Sequence, residues 1–294
     1  MARILHAGVA ATALLACVAG EATAAQTETR TIAVDGIVRD YCLYVPDTPA
    51  DPPRYVFYFH GGGAVASANG CIDGEIEARW RAKADAEGFV FVAPLGTVAW
   101  SSGGSKRQAC SGPPKLCETA RAWNACSAPP EVCETVRADN GAEANNVDDV
   151  GFFEALWTEL VPELEDARVY LNGMSNGGML VYLLACHVPE LIDAASVMAG
   201  TAIWQTCPTA PVPFFHMHGD ADTVVPWPDG DKTWPSPLDS FLERAAQNGS
   251  EAESRLDVVD CDHGWPGVAR LLRFRCTTAF DAEDRFWEFF GLQL

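Results

Sequence analysis

The feature that most restricts this chain is a strand that breaks on a serine. Val169-Tyr170-Leu171 runs through Asn172-Gly173-Met174-Ser175-Asn176-Gly177-Gly178 into the apolar stretch Met179-Leu180-Val181-Tyr182-Leu183-Leu184. A short apolar run reads as a buried strand and a longer one as a buried helix, so the glycine-flanked segment marks the reversal between them. Glycines two residues before and after the serine remove the Cβ atoms that would block a sharp turn. A serine at the tip of such a turn exposes its hydroxyl, which a nucleophile requires. An ordinary glycine-rich turn would read the same way, so the neighbouring segments decide.

Two segments follow in a telling order. Pro213-Phe214-Phe215-His216-Met217-His218 is an apolar strand running into the turn Gly219-Asp220-Ala221-Asp222. Arg255 to Asp260 alternates as a strand and ends in Cys261-Asp262-His263-Gly264-Trp265-Pro266-Gly267, a loop able to carry His263 over the serine turn. Upstream, Tyr55-Val56-Phe57-Tyr58-Phe59 delivers His60-Gly61-Gly62-Gly63, where backbone N–H groups can approach a developing oxyanion because no Cβ intervenes. Nucleophile, acid and histidine in this order are the arrangement of α/β-hydrolases. The expected fold is therefore α/β, a mostly parallel sheet with helices on both faces.

Together these blocks resemble the extracellular polyhydroxybutyrate depolymerase-like esterases, a family that also takes in feruloyl and acetylxylan esterases. The resemblance covers roughly residues 30 to 294. It rests on His60-Gly61-Gly62, Trp123-Asn124-Ala125 followed by cysteine, Val147-Asp148-Asp149-Val150-Gly151-Phe152, and Gly173 to Met179. It continues through His218-Gly219 with Asp222 and Val225-Pro226, His263 with Trp265-Pro266-Gly267, and Phe286-Trp287-Glu288-Phe289-Phe290. Near the histidine the family has two or three glycines where this chain has Cys261-Asp262. The resemblance implies a serine esterase acting on hydroxyalkanoate polyesters or oligomers, or on feruloyl or acetyl esters of polysaccharide. It implies Ser175 as nucleophile, His263 as base and, just before Val224-Val225-Pro226, Asp222 as acid. Spacing alone does not separate Asp222 from Asp220. The oxyanion donors would be the N–H groups of Asn176 and Gly62. Trp227 and Trp265, adjacent to the acid and the histidine, are candidate walls for an acyl or aromatic group, and core packing suits each equally. His60, His216 and His218, at strand ends, suit structural roles. A peptidase using the same triad and a catalytically silent binding protein on the same fold are the competing readings.

The 294 residues, 48% apolar, suffice for one large core. Residues 1–24 read as a signal peptide: Arg3, the apolar run Val9 to Gly20, and the small-residue site Ala22-Thr23-Ala24. Residues 25–294 then form one hydrolase domain. The apolar run is too short for a membrane span, and Leu14-Leu15-Ala16-Cys17 also looks like a lipobox. Of the 11 cysteines, removal of Cys17 leaves Cys42, Cys71, Cys110, Cys117, Cys126, Cys133, Cys186, Cys207, Cys261 and Cys276, an even set that behind a signal peptide reads as disulfides. A buried free thiol suits Cys186 best, since it lies in the apolar helix after the serine.

Residues 98–146 read as a disulfide-rich surface excursion. In it Ala109 to Arg121 recurs as Ala125 to Arg137, and the cysteines are spaced too widely for common zinc sites. Trp100 and Trp123 are placed there as lid or rim. Asp148 and Asp149 open a helix whose dipole they complement. Calcium binding by the oxygen atoms of Asp139, Asn140, Asp148 and Asp149 is a minor alternative, without EF-hand spacing. No metal and no cofactor are expected at the site. The net charge of −20 opposes nucleic acid and anionic membrane surfaces and suits a neutral ester substrate, polymeric or not.

Overall fold

The computed structural model describes residues 26–98, 121–125, 147–161, 166–203, 211–249, 252–268, 270–271 and 274–293. Residues 1–24, read from the sequence as a signal peptide with Cys17 in them, and most of the 98–146 stretch read as an excursion lie outside these residues. Strands β1 (Gln26–Val34) and β2 (Ile37–Val45) form a hairpin. It closes on Asp35-Gly36, both at positive φ, as a two-residue turn matching the sheet twist requires. The next strands are β3 (Arg54–Phe59), β4 (Val90–Pro94), β5 (Thr97–Val98), β6 (Arg121–Ala122), β7 (Arg168–Met174), β8 (Ala194–Met198), β9 (Phe214–Gly219), β10 (Ser254–Val259), β11 (Arg270–Leu271) and β12 (Phe274–Arg275). Among the described residues five α-helices accompany them: α1 (Glu75–Glu87), α2 (Asp149–Leu160), α3 (Asn176–His187), α4 (Pro237–Asn248) and α5 (Ala282–Gly291).

One sheet of eight strands dominates, in the order β1-β2-β4-β3-β7-β8-β9-β10. From β4 to β10 all neighbours are parallel, while β1 and β2 join antiparallel at one edge. Parallel strands are covered on both faces, and the period of two shows it. Tyr55, Phe57 and Phe59 of β3 enter the core shared with α2 and α3, and Val56 and Tyr58 enter the core shared with α1 and α5. The central helix α3 is buried from Asn176 to Cys186, which explains why its sequence is apolar all round.

Gly74 is the N-cap of helix α1, and Glu77 at the third helical position accepts backbone N–H groups there, as in a capping box. Cys42 pairs with Cys71, and Cys261 with Cys276. Cys186 is also disulfide-bonded, in line with the even cysteine set and against the alternative of a buried free thiol in α3. The excursion is not wholly superficial either. Its residues 121–125 return to the domain, where β6 pairs with β5 and Ala122, Trp123 and Ala125 are buried. No helix among the described residues is long and apolar enough to cross a membrane.

Candidate active site

The candidate residues sit at the C-terminal ends of four parallel strands, where open α/β sheets form their crevices. Strand β7 ends at Met174 and α3 starts at Asn176, so Ser175 alone makes the turn. Its φ of 54° and ψ of −121° lie where few residues other than glycine go. The surrounding glycines make this turn feasible. A Cβ on Gly173 would collide with the Gly177 carbonyl, and one on Gly177 with the Phe59 carbonyl. The hydroxyl stands half-buried at the helix N-terminus, where unpaired N–H groups and the helix dipole favour negative charge.

Strand β10 carries the chain to His263, whose Nε2 lies 2.9 Å from Ser175 Oγ and whose Nδ1 lies 2.7 Å from Asp222 Oδ2. Asp222 is buried just after β9, whereas Asp220 is exposed, so tertiary structure separates the two aspartates that spacing could not. Asp222 Oδ1 accepts the N–H groups of Val224 (2.8 Å) and Val225 (2.9 Å). Burial raises the Asp222 pKa, but hydrogen bonds from His218 and His263 outweigh it and hold the carboxyl well below the usual range. It is therefore an anion at neutral pH, and the proton in the short contact belongs to His263 Nδ1. That tautomer leaves Nε2 free to accept from the serine hydroxyl.

The Cys261–Cys276 disulfide ties the base of the His263 loop to the end of β12. The far end is held by Trp265, whose Nε1 donates to Glu283 Oε2 at 3.0 Å, and by Arg79, which bonds Glu283, Asp281 and the Gly267 carbonyl. Trp265 is consequently a core residue. It is fully buried against Tyr58 and Phe286, which corrects its expected place on a substrate wall. Trp227 is half-buried over the His218 ring, centroids 5.2 Å apart. Phe274 meets the His263 ring edge-on at 5.3 Å, an aromatic neighbour that no motif indicated.

The loop after β3 packs against the serine turn, since a Cβ on Gly62 would rest 3.4 Å from that of Asn176. Around it is a scaffold that sequence reading missed. The Asn176 side chain accepts Trp123 N–H at 2.7 Å and donates to Trp123 O at 3.2 Å, while Trp123 Nε1 donates to His60 O at 2.9 Å. Trp123, expected at a lid or rim, is thus buried beneath the oxyanion-type loop. His60 Nε2 accepts the Gly96 N–H, which puts its proton on Nδ1, 2.8 Å from Gly61 O. Burial, opposed in part by that bond to Gly61, pushes His60 down to about 4 and keeps it neutral. Asp149 goes beyond dipole complementation. It is buried in an ion pair with Arg39 (2.6 Å) and accepts Asn124 N–H (2.6 Å), while Asp148 caps α2 through Gly151 N–H. Of the four candidate calcium ligands, these two are thus otherwise engaged, and Asp139 and Asn140 lie outside the described residues.

No family model matches the chain. NocK of Nocardia uniformis subsp. tsuyamanensis, a protein named as an esterase, is 33% identical over 93 residues, 30% of this chain and 27% of NocK. The bifunctional acetylxylan esterase/xylanase XynS20E of Neocallimastix patriciarum is 23% identical over 193 residues, 65% of this chain and 22% of that protein. The chain thus matches about a quarter of the length of either relative. Among solved structures, a protein named as a dienelactone hydrolase from Klebsiella pneumoniae subsp. pneumoniae MGH 78578 superposes with a TM-score of 0.52 at 15% identity, over 92% of this chain and 99% of that one. The fold is that of the α/β-hydrolases.

Proposed function

We propose that this chain is a serine hydrolase of carboxylic esters that works through an acyl-enzyme. The observation that carries the reading is the hydrogen-bonded line Ser175 Oγ, His263 Nε2, His263 Nδ1, Asp222 Oδ2 at 2.9 and 2.7 Å, with the serine on a positive-φ turn. Ser175 Oγ attacks the ester carbonyl carbon as its proton passes to His263 Nε2. Ionised Asp222 stabilises the imidazolium. The carbonyl oxygen, now an anion, is met by the N–H groups of Asn176 and Gly62 at the head of α3. The intermediate collapses, the alcohol leaves with the proton from His263, and water repeats the sequence to release the acid.

Ester chemistry is favoured over amide by the two relatives, one named as an esterase and the other partly as an acetylxylan esterase. The substrate class is an acetyl or feruloyl ester of polysaccharide, or a hydroxyalkanoate polyester or its oligomers. Export fits the disulfides at Cys42, Cys71, Cys186, Cys261 and Cys276, which persist in oxidising compartments. The test is purified mature protein assayed on short-chain p-nitrophenyl esters, methyl ferulate, acetylated xylan and polyhydroxybutyrate, with matched amides in parallel and Ser175→Ala as control. Turnover of amides alone, or of nothing, would overturn the reading.

A further inference from the structure

Three buried polar side chains outside the serine array form a line that ends on Asp222. His216 and His218 stand two residues apart on β9 and so share a face, their rings nearly parallel at 4° with centroids 5.2 Å apart. Both are fully buried. Tyr182 Oη, on α3, lies 2.8 Å from His216 Nδ1, and His216 Nε2 lies 3.0 Å from His218 Nδ1. His218 Nε2 then lies 2.9 Å from Val225 O and 3.3 Å from Asp222 Oδ2.

The proton on each atom follows from the end whose role is fixed. A carbonyl only accepts, so His218 Nε2 carries a hydrogen, donated to Val225 O with Asp222 Oδ2 3.3 Å from the same nitrogen. In a neutral ring Nδ1 must then accept, which places the proton of His216 on its Nε2. His216 Nδ1 accepts in turn from the Tyr182 hydroxyl. Burial, with His218 beside it, pushes His216 well below its ordinary pKa, as a neutral ring in this line requires. All three donors therefore point the same way, toward the acid.

We propose that His218, with its proton register set by His216 and Tyr182, is a positioning residue that braces the Asp222 carboxylate for His263. The inference rests on the triad reading above. Oδ1 is held by two backbone N–H groups, but Oδ2 is the atom that must face His263, and the protonated His218 Nε2, anchored on Val225 O, stands 3.3 Å from it. An apolar pair would fill the same space. What the polar line adds is a directed N–H beside the working oxygen. Without it the carboxylate rocks about its Oδ1 contacts and the imidazole loses its aim, which lowers turnover without changing substrate affinity.

The first measurement needs no variant. Long-range proton–nitrogen NMR of ¹⁵N-histidine-labelled protein at neutral pH should show His216 and His218 both as Nε2–H tautomers. A His218 found as the Nδ1–H tautomer, or doubly protonated, overturns the proposal. The second is kinetic, on p-nitrophenyl acetate. His218→Phe keeps a ring under Trp227 but removes the donor, and kcat should fall about tenfold, which is about 1.4 kcal/mol, with KM unchanged. His218→Gln, which returns an N–H at similar reach, should recover most of the loss. Wild-type kcat in folded His218→Phe, or glutamine no better than phenylalanine, sinks the bracing role. Should His218→Phe not fold, Tyr182→Phe decides, because it removes only the far hydroxyl. A two- to threefold lower kcat with a mixed His216 tautomer is expected, and wild-type values for both overturn the proposal. Ser175→Ala run alongside keeps the two ideas apart, since its retained turnover would refute the triad itself, whereas an inert Ser175→Ala beside a fully active His218→Phe refutes only the brace.

Discussion

Replacing Glu77 by glutamine should stabilise the protein at alkaline pH and leave it almost unchanged at acid pH. The side chain is 4% exposed in the first turn of α1, where it closes the cap at Gly74. Burial, the largest influence, outweighs the backbone hydrogen bonds and Arg81, and pushes the carboxyl up from 4.5 to about 7. The folded value thus lies above the unfolded one. Relative to a neutral isostere, the acid is harmless below pH 4.5, and its presence becomes progressively unfavourable as pH rises from 4.5 to 7. A gap of roughly 2.5 pH units at ~1.36 kcal/mol each makes the full difference about 3 kcal/mol. Glutamine keeps the acceptor for the cap and removes only the charge, whereas Glu77→Ala would lose both. Urea unfolding followed by the fluorescence of the nine tryptophans, at pH 4.5 and 8.5 with disulfides intact, measures the difference. Glu77→Gln should gain about 3 kcal/mol over the parent at pH 8.5 and well under 1 at pH 4.5. An equal effect at the two pH values would refute the linkage and mean that the carboxyl is ionised or neutral throughout.

Ser175→Ala should lower kcat on p-nitrophenyl acetate by about 10⁴-fold or more with an unchanged circular dichroism spectrum, as removal of a triad member does. Asp222→Asn should cost far more turnover than Asp220→Asn, because only Asp222 meets His263; parallel kinetics that ranked them equal or reversed would refute this assignment. Removing the Cys261–Cys276 bridge with two alanines frees a loop of sequence separation 15, which should cost about 3 kcal/mol in urea unfolding and lower kcat as His263 loses its anchor. Asp149→Asn strands the Arg39 charge in the core beneath the Trp123 segment, for an expected loss of about 3–5 kcal/mol, read from the same unfolding curves.

Much of this protein is legible in local pattern. Alternating and continuous apolar runs mark β3, β7 and β9, because a strand with two covered faces must be apolar at nearly every position. Gly173, Ser175 and Gly177 announce the turn, since no larger residue fits where strand and helix backbones nearly touch. Chain order then suggests an acid and a histidine. What local pattern could not supply are relations between residues far apart in the chain. Asp220 and Asp222 are equivalent by spacing, and only the turn after β9 buries one against His263 and exposes the other. Trp265 stands beside the histidine in sequence yet turns into the core, because Glu283 in α5 takes its N–H. Trp123 comes from a stretch that reads as superficial but fits under the His60 loop, where Asn176 and His60 satisfy its polar atoms. The pair His216 and His218 did carry a signal, two imidazoles at the strand period and hence on one face. Their direction toward Asp222 depends on the Val225 carbonyl at one end and Tyr182, from another element, at the other. Propensity and sterics act over a few residues and are written in the sequence, whereas the aim of a buried hydrogen bond depends on which distant groups folding brings within 3 Å of it.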